Sequence, residues 1–573
     1  MKIDIQSARN ILRAKNFYLA ATQYQELISA DPTNYILYLE LSSALMGLQK
    51  FDEALVVVKQ IEHIESSFKD EVQLQKGNIY LAQGRFLESI QILQGLIPGP
   101  CEDRARTPLS GAYIGLGLPS KAIALFLDLA REKLSIGDAN NLAISLCERM
   151  ETPEALEILG DRIVINNYDQ STISNLLMLS NYEAEPGKYI QIAKVGIRKI
   201  SKKIRPQKLS QSKNSLPKIG FVSGDMNQHP VGWFSLGLLR ELSKNYSISI
   251  YYTGHKTDQL TNELISIVSG FSFVESLTDG DLINQIQSDK IDVLIDLSGH
   301  TANSRISIFN QRIAPIQLSY LGYFASTHAL QMDGVILDEW HLHNVSDDFF
   351  SEAIYKLPCS RFCYTPPPYV PQLNPLPAIA NGSITFCSFS STSKINNECI
   401  EMWSKTLMAI PHSRIQLRWK TLRDHQLRNH IRELFLSYGV TNSRVELYAD
   451  CDHESLFHFY NEADIALDTY PFSGATTSCE ALWMGLPVIT RTGITPASNQ
   501  SASILHEINL GECVTNSIDG FVEQAKRLSN DLDKLSHLRT TMRKRISNSP
   551  LGDPKFFSVH FSKLIEDIYL KLK

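Results

Sequence analysis

Three short runs carry residue types and spacings suited to handling a phosphate-linked leaving group. The first is Asp468-Thr-Tyr-Pro-Phe-Ser-Gly-Ala-Thr-Thr-Ser-Cys-Glu480, continuing through Gly485-Leu-Pro-Val-Ile-Thr490. A strand is predicted to end at Asp468, a turn with Pro471, Ser473 and Gly474 follows, and Thr476 and Thr477 stand where a helix should begin. Amide N–H groups, hydroxyls and the positive end of a helix dipole would meet there, an anion site suited to a diphosphate. Glu480 lies about one helical turn further on, placed to accept hydrogen bonds from ribose hydroxyls. Plain helix capping by threonine is the competing reading of the pair alone. The second run, Ile384-Thr-Phe-Cys-Ser-Phe-Ser-Ser-Thr-Ser-Lys394, leads a strand into a serine-rich loop that delivers one lysine. Such a lysine can neutralise a leaving phosphate, although an isolated lysine is more often a surface residue. The third, Lys218-Ile-Gly-Phe-Val-Ser-Gly-Asp-Met-Asn-Gln-His229, ends on a histidine whose reference pKa near neutrality suits a general base. A lone histidine is more commonly structural.

Other combinations carry less. Asp531-Leu-Asp533 has the form of a metal-binding DxD, but it lies in a helical, Lys/Arg-flanked stretch after the last predicted strand. Asp338, His341 and His343 could hold a metal, yet a surface turn is the simpler reading. No GxxxxGK[ST] phosphate loop and no GxSxG elbow occur, which argues against a nucleotide hydrolase and an α/β-hydrolase. No metal is therefore expected.

The elements that must position these runs divide the chain. From residue 217, short β-rich runs alternate with helical stretches: Lys218–Ser223, Ser247–Tyr252, Asp292–Leu297, Gln317–Tyr323 and Gly334–Leu337. Prolines at 366, 367, 368, 371, 375 and 377 interrupt the pattern. It restarts with Ile384–Phe389, Arg414–Trp419, Arg444–Tyr448, Ile465–Asp468 and Leu486–Thr490. Two parallel-sheet lobes are expected, 217–365 and 384–573, joined by a proline-rich hinge at 366–383, with ligands in the cleft at the strand carboxyl ends. The front is different. Segments opening at Phe17, Phe51, Phe86, Pro119 and Thr152 are spaced 34, 35, 33 and 33 residues apart. Each carries a small residue at its fourth position: Ala20, Ala54, Ser89, Ala122 and Ala155. That period suits helix–turn–helix repeats of tetratricopeptide type over 1–185, a solenoid whose usual work is binding a protein or peptide. Between Pro186 and Gly224 ten residues are basic and none acidic. This stretch is read as a solvated linker, 186–216, plus the last repeat helix, since no interleaved aromatics support base stacking.

Composition agrees. Of 573 residues, 43% are apolar and 20% charged, with a net charge of −6, which excludes a disordered chain and a globally basic nucleic-acid coat. No apolar run is long enough to span a bilayer, and the first residues are too charged for a signal peptide. Nine scattered cysteines without a CxxC pair read as reduced thiols. The expectation is a cytoplasmic protein with neither membrane nor nucleic-acid partners.

Taken together, the stretch from Lys218 to the C-terminus resembles the catalytic region of the O-GlcNAc transferase/SPINDLY glycosyltransferases. The matching runs are Gly220-Phe-Val-Ser-Gly-Asp with His229-Pro-Val, Leu294-Ile-Asp-Leu-Ser-Gly-His-Thr301, Arg312-Ile-Ala-Pro-Ile-Gln317, Leu321-Gly-Tyr323, Met332-Asp333, the Lys394 loop and Asp468 through Pro487. Repeats ahead of the lobes match the family's arrangement. The resemblance implies an α-helical repeat region followed by a GT-B fold of two Rossmann-like lobes. It implies metal-independent, inverting transfer of a sugar, GlcNAc from UDP-GlcNAc, to Ser or Thr of a protein held along the repeats, with no cofactor beyond the nucleotide-sugar substrate. Lys394 would assist departure of the diphosphate held by Thr476 and Thr477. Glu480 would take the ribose-binding position and His229 would stand near the reacting centre. Ser391, Gly322, Ala475 and His453 complete the expected donor-binding set. Ala475 stands where many members have His, Phe324 where many have Pro, and Ser390 and Ser391 replace amide residues. Leu456 occupies the place of a family histidine, with His453 nearby. A GDP-sugar donor, as in the fucosyl-transferring SPINDLY branch, and an inactive partner-binding scaffold are the alternatives.

Overall fold

The computed structural model describes residues 4–14, 16–64, 68–164, 169–200 and 216–572. It divides into two compact units, Met1–Ser145 with Val274–Gln285, and Leu146–Phe273 with Ile286–Lys573.

The first unit is helical: Ile5–Arg13, Phe17–Ala30, Tyr35–Gly47, Phe51–Ile64, Lys69–Ala82, Phe86–Gln94, Glu102–Leu116 and Pro119–Ala124 lead into Ile136–Glu148. The repeat pattern read from the sequence is borne out at the residue level. Phe17, Phe51, Phe86, Pro119 and Thr152 each open a helix. Their fourth-position partners Ala20, Ala54, Ser89, Ala122 and Ala155 are all fully buried, at 0% exposure. Small side chains there let paired helices approach, and glycines receive the aromatics opposite. A Cβ on Gly47 would lie 2.4 Å from the Phe17 ring, and one on Gly115 2.4 Å from the Phe86 ring. Ser89 uses the same closeness to donate to the Gly77 carbonyl at 2.9 Å.

The second unit begins with helices Thr152–Val164, Gln170–Ser180 and Gly187–Ile200. The last of these fills the first half of the segment read as a basic linker, and its apolar stripe Ile190, Ala193 and Ile197 is buried. Residues 201–215 of that linker lie outside the described residues. Two wholly parallel sheets follow. The first contains β1 (Ile219–Ser223), β2 (Ile248–Tyr252), β3 (Gly270–Phe273), β4 (Val293–Asp296), β5 (Ile316–Ser319), β6 (Gly334–Asp338) and β7 (Ala353–Leu357), in the order β3-β2-β1-β4-β5-β6-β7. The second contains β8 (Thr385–Ser388), β9 (Arg414–Arg418), β10 (Val445–Tyr448), β11 (Ile465–Leu467), β12 (Val488–Arg491) and β13 (Val514–Thr515), in the order β10-β9-β8-β11-β12-β13. Chain direction reverses across the sheet at β1/β4 and at β8/β11, the crevice positions where such sheets hold ligands.

Several boundaries differ from the sequence reading. The strand expected over Gln317–Tyr323 stops at Ser319, because Leu321 adopts φ +62 and the chain turns tightly. A Cβ on Gly322 would lie 1.8 Å from the Leu297 carbonyl oxygen, so only glycine fits that turn. Strands β3, β7 and β13 were not expected. Within the proline-rich segment, Pro377 opens a short helix, Pro377–Asn381, at the first-turn position that tolerates proline. The C-terminal helix Pro554–Leu572, placed by sequence in the 384–573 lobe, packs on the first lobe instead. Phe561 meets Tyr320 at a 5.1 Å ring separation, and the Tyr246 hydroxyl donates to Glu566. No helix among the described residues is long and apolar enough to cross a membrane. All nine cysteines are unpaired.

Because Ala54 is fully buried at the helix contact, Ala54→Leu should destabilise the helical unit by about 1–3 kcal/mol through overpacking. Urea denaturation followed by circular dichroism would measure it, and an unchanged midpoint would contradict the close-approach account.

Candidate functional site

The second sheet delivers Lys394 and the Thr476–Thr477 helix start from two adjacent strand ends, those of β8 and β11. After β8, residues Thr392–Lys394 form a single 3₁₀ turn, with the Lys394 amide donating to the Ser391 carbonyl at 3.0 Å. The turn points the lysine toward the loop after β11. Its Nζ donates to the Ser473 carbonyl at 3.4 Å and lies 4.1 Å from the centroid of the Phe472 ring. Burial pushes the Lys394 ammonium down to about 8, opposed by the charge of Asp468.

The loop after β11 is organised by Asp468. Its Oδ1 accepts from the Thr469 amide at 2.9 Å and the Gly474 amide at 2.8 Å, and its Oδ2 accepts from Thr490 Oγ1 at 2.7 Å. Burial raises the Asp468 carboxyl, and these bonds oppose the rise. Gly474 has no room for a side chain: a Cβ would lie 2.3 Å from Ser478 Oγ. The helix Thr476–Trp483 starts directly after this turn. Its N-cap is Ala475, which has no side chain to spend on the first amides. Thr476 and Thr477 are the first residues of the helix, as the sequence predicted, and its first turn has no side-chain cap. Ser391, expected to touch the donor, hydrogen-bonds Ser393 at 2.7 Å between hydroxyls on the same turn.

Glu480 and His453 meet directly. Glu480 is 3% exposed, and its Oε1 lies 2.7 Å from His453 Nε2, while His453 Nδ1 lies 2.7 Å from the Tyr369 hydroxyl. Burial works against the imidazolium, but the Glu480 hydrogen bond and charge outweigh it and raise His453 above its ordinary value. Glu480 thus orients a partly exposed histidine with the oxygen that the sequence reading offered to a ribose.

The first lobe supplies the facing loops. His229 N-caps the helix Pro230–Leu242: its Nδ1 accepts from the Val231 amide at 3.3 Å and lies 3.7 Å from Asp225 Oδ1. Burial lowers its pKa and Asp225 opposes the shift. Gly322 sits in the tight turn after β5. Beyond it Phe324 packs edge-on against Phe472 at 4.5 Å, so the loop carrying Gly322 reaches the aromatic ring beside Lys394. The structure thus brings Lys394, Ser473, Phe472 and Phe324 into one group and pairs Glu480 with His453. His229 stands on the loop after β1.

The other sequence candidates take structural roles. Asp531 accepts from the Lys534 amide at 2.8 Å as a helix N-cap. Asp338 and His341 do not lie in the surface turn expected of them. Both are buried, and Asp338 Oδ2 lies 2.8 Å from His341 Nδ1. Among the described residues, no group of three or more His, Cys, Asp or Glu side chains could hold a metal. Sequence reasoning missed the organising role of Asp468, though a strand-ending Asp six residues ahead of a glycine was its visible signal. It also missed Phe472, a ring in the middle of a run read only for polar groups.

Comparison with known proteins follows this geometry. The family described as glycosyl transferase family 41 matches residues 188–364 and 375–561. A tomato (Solanum lycopersicum) protein named probable UDP-N-acetylglucosamine–peptide N-acetylglucosaminyltransferase SPINDLY is 32% identical over 380 residues, 64% of this chain and 40% of that protein. The Arabidopsis thaliana protein of the same enzyme name, SEC, is 26% identical over 62% of this chain and 37% of its own length. The chain thus spans about two fifths of the length of these curated relatives. The solved structure of a Thermobaculum terrenum O-GlcNAc transferase mutant superposes with a TM-score of 0.77 at 24% identity, covering 94% of this chain and 98% of the other. It shows that the two chains share the helical-repeat and GT-B architecture.

The lysine's environment sets a pH dependence. Only the ammonium form of Lys394 would attract an anion, and that form is lost as pH rises through about 8. An unperturbed lysine would keep its charge to above about 10. Affinity for inorganic pyrophosphate should therefore fall about tenfold per pH unit on the alkaline side of about 8. Titration calorimetry over a pH series would check this, and an affinity that holds until about 10 would remove the burial argument.

Proposed function

The chain belongs to glycosyl transferase family 41, and from that premise we propose that it transfers a sugar from a nucleotide-sugar donor, UDP-GlcNAc, to Ser or Thr hydroxyls of a protein. The observation that carries this reading is the meeting of Lys394 with the Ser473 carbonyl just ahead of the uncapped helix start at Thr476 and Thr477. A cation and free helix amides converge there from two neighbouring strands, the arrangement that stabilises charge growing on a departing diphosphate. The curated relatives carry the donor and the peptide acceptor in their names.

The reaction is a single inverting displacement. The acceptor oxygen attacks the anomeric carbon from the first-lobe side as the bond to the diphosphate breaks. Lys394 and the first amides of the Thr476–Trp483 helix take up the negative charge. No metal is assigned this role, since a lysine and a helix terminus already supply the positive charge. The Glu480–His453 pair lies about one turn along the same helix, where a nucleoside attached to that diphosphate would extend.

The proton's route follows from a tautomer. His229 Nδ1 accepts from the Val231 amide, so in the neutral ring the proton sits on Nε2. That nitrogen is a donor. His229 therefore orients the acceptor or sugar by donating a hydrogen bond, and the acceptor proton passes to a phosphate oxygen of the donor. The helical hairpins carry the acceptor chain; a groove lined by Ser43, Met46, Gln75, Asn78, Leu81 and Ala82 offers both amide and apolar contacts. Nine unpaired thiols fit a reducing, cytoplasmic compartment.

Mass spectrometry of acceptor proteins after incubation with a panel of UDP- and GDP-sugars should find a single added N-acetylhexosamine from UDP-GlcNAc. Addition of a deoxyhexose from a GDP-sugar would move the donor assignment. Lys394→Ala should lower turnover about 10²–10³-fold, the range for removing one preorganised charge stabiliser, while the protein stays folded. Wild-type turnover in that variant would sink the reading. The pH profile of kcat/KM should keep its acid side in His229→Asn, and an acid limb that vanishes with the histidine would reassign it as the base.

A further inference from the structure

The Lys394 turn is held partly by residues from outside its own lobe. Thr392, fully buried at 0% exposure, donates its hydroxyl to the Glu148 carbonyl at 2.8 Å and to Glu148 Oε2 at 2.9 Å. The same hydroxyl lies 2.6 Å from Thr421 Oγ1, which supplies the complementary donor. Glu148 is the last residue of the helix Ile136–Glu148, in the helical region ahead of the lobes. On the next residue of the turn, the Ser393 side chain lies close to the hydroxyl of Tyr182, which follows the helix Gln170–Ser180. The Tyr182 ring also stacks on Phe472, with centroids 5.0 Å apart and planes at 27°. Phe472 is the ring 4.1 Å from Lys394 Nζ. Both neighbours of the lysine on its turn, and the ring beneath its ammonium, are thus met from the helical region.

The same helical region grips the facing loop. Asn181 Nδ2 donates to the Tyr323 hydroxyl at 3.2 Å, and that hydroxyl donates to the Leu177 carbonyl at 3.3 Å. Ser174 Oγ lies 2.9 Å from His300 Nδ1, whose Nε2 lies 2.8 Å from the Thr327 carbonyl. One helical segment therefore touches the turn that bears Lys394 and the loop that bears Gly322 and Phe324.

We propose that Glu148 and Tyr182 are positioning residues for Lys394, so that the last helices ahead of the lobes form part of the transferase site. The inference rests on the reading of Lys394 given above. A three-residue turn closed by two 3₁₀ hydrogen bonds, Lys394 N–H to Ser391 and Ile395 N–H to Thr392, has few constraints of its own, and a displacement of about 1 Å of a catalytic group can cost about 10²-fold in rate. The charged group acting on Lys394 is Asp468; Lys420 acts on Glu148, and Glu148 acts on Tyr182. Tyr182 carries no charge onto Lys394, so its loss alters the lysine through packing and water access.

The test uses the full chain with four variants. Glu148→Ala and Tyr182→Ala should each lower kcat about ten- to a hundredfold, and donor KM less, because charge on the leaving diphosphate grows only toward the transition state. Glu148→Gln keeps an acceptor oxygen for Thr392, and Tyr182→Phe keeps the ring on Phe472; each should recover most of the loss of its alanine counterpart, which a general loosening of the fold would not allow. A readout independent of turnover is competitive acetylation of Lys394 by acetic anhydride over a pH series, read by mass spectrometry. Its midpoint should lie near about 8 in the wild type and move upward in Tyr182→Ala as water reaches the ammonium. Wild-type kcat in both alanine variants, with Lys394→Ala inactive, overturns the positioning role and leaves the transferase reading standing. Absence of transfer from every nucleotide sugar overturns the transferase reading, and the acetylation midpoint then decides positioning alone: an unchanged midpoint in Tyr182→Ala rejects it.

Discussion

A buried carboxylate can be kept in a protein interior only if its lone pairs are met, and Asp468 meets its own with the chain that leads into the helix Thr476–Trp483. The Thr469 and Gly474 amides and Thr490 Oγ1 all donate to it. Satisfying Asp468 draws the loop after β11 into a tight turn, and that turn releases the chain at Ala475 with the first helical amides unspent. The same negative charge offsets part of the penalty of burying Lys394. Acid and base are thus interdependent. Without the carboxylate the lysine would sit in an apolar wall of Phe472 and Phe324 with only the Ser473 carbonyl as partner, and without the lysine the loop would present amides alone.

Much of this could be read from the chain before its structure was in view, and the reasons differ by level. The repeats were legible because close helix packing admits only small side chains, and a period near 34 residues placed Ala20, Ala54, Ser89, Ala122 and Ala155 in register. The central strands were legible because both faces of a covered parallel sheet demand apolar runs, as in β1 and β4, whose residues are all buried. Edge strands escape that demand. β7 is exposed at Ala353 and Lys356, and β13 has only two residues, so neither leaves a run to find. Long-range docking left no local trace either. Nothing in Pro554–Leu572 announces that Phe561 will meet Tyr320, and nothing near Glu148 announces Thr392, 244 residues away in sequence.

The partners of Glu480 illustrate the same limit inside the site. Spacing put a carboxylate about one turn past Thr476, and that placement is right. Spacing could not say that His453, brought in by a separate helix, would take Oε1 and be raised in pKa by it. Both ring nitrogens of His453 are taken, Nε2 by Glu480 and Nδ1 by the Tyr369 hydroxyl, so the carboxylate spends one oxygen inside the protein and the histidine has no nitrogen left to offer.

Buried polar groups are matched across the junction of the lobes. Asp338, at the end of β6, accepts from Ser503 Oγ at 2.8 Å and from the Arg361 amide at 2.8 Å; burial alone would raise it, but His341 and these donors hold it down to about 2. Ser360 Oγ lies 2.7 Å from Ser503 Oγ, and the Ser360 amide donates to Glu507 at 2.6 Å. Asn499 reaches across to the His343 carbonyl at 2.8 Å. Such bonds are directional, so they fix the angle between the sheets where apolar contact would permit sliding. Asn499 is followed by Gln500, which donates to the Ser473 carbonyl at 3.2 Å, the same oxygen that accepts from Lys394. The interlobe network and the lysine therefore share one acceptor. A change in lobe angle that moved Asn499 would be passed through Gln500 to the Ser473 carbonyl, just as one that moved Phe324 would be passed to Phe472, so two of the partners of Lys394 are tied to the facing lobe.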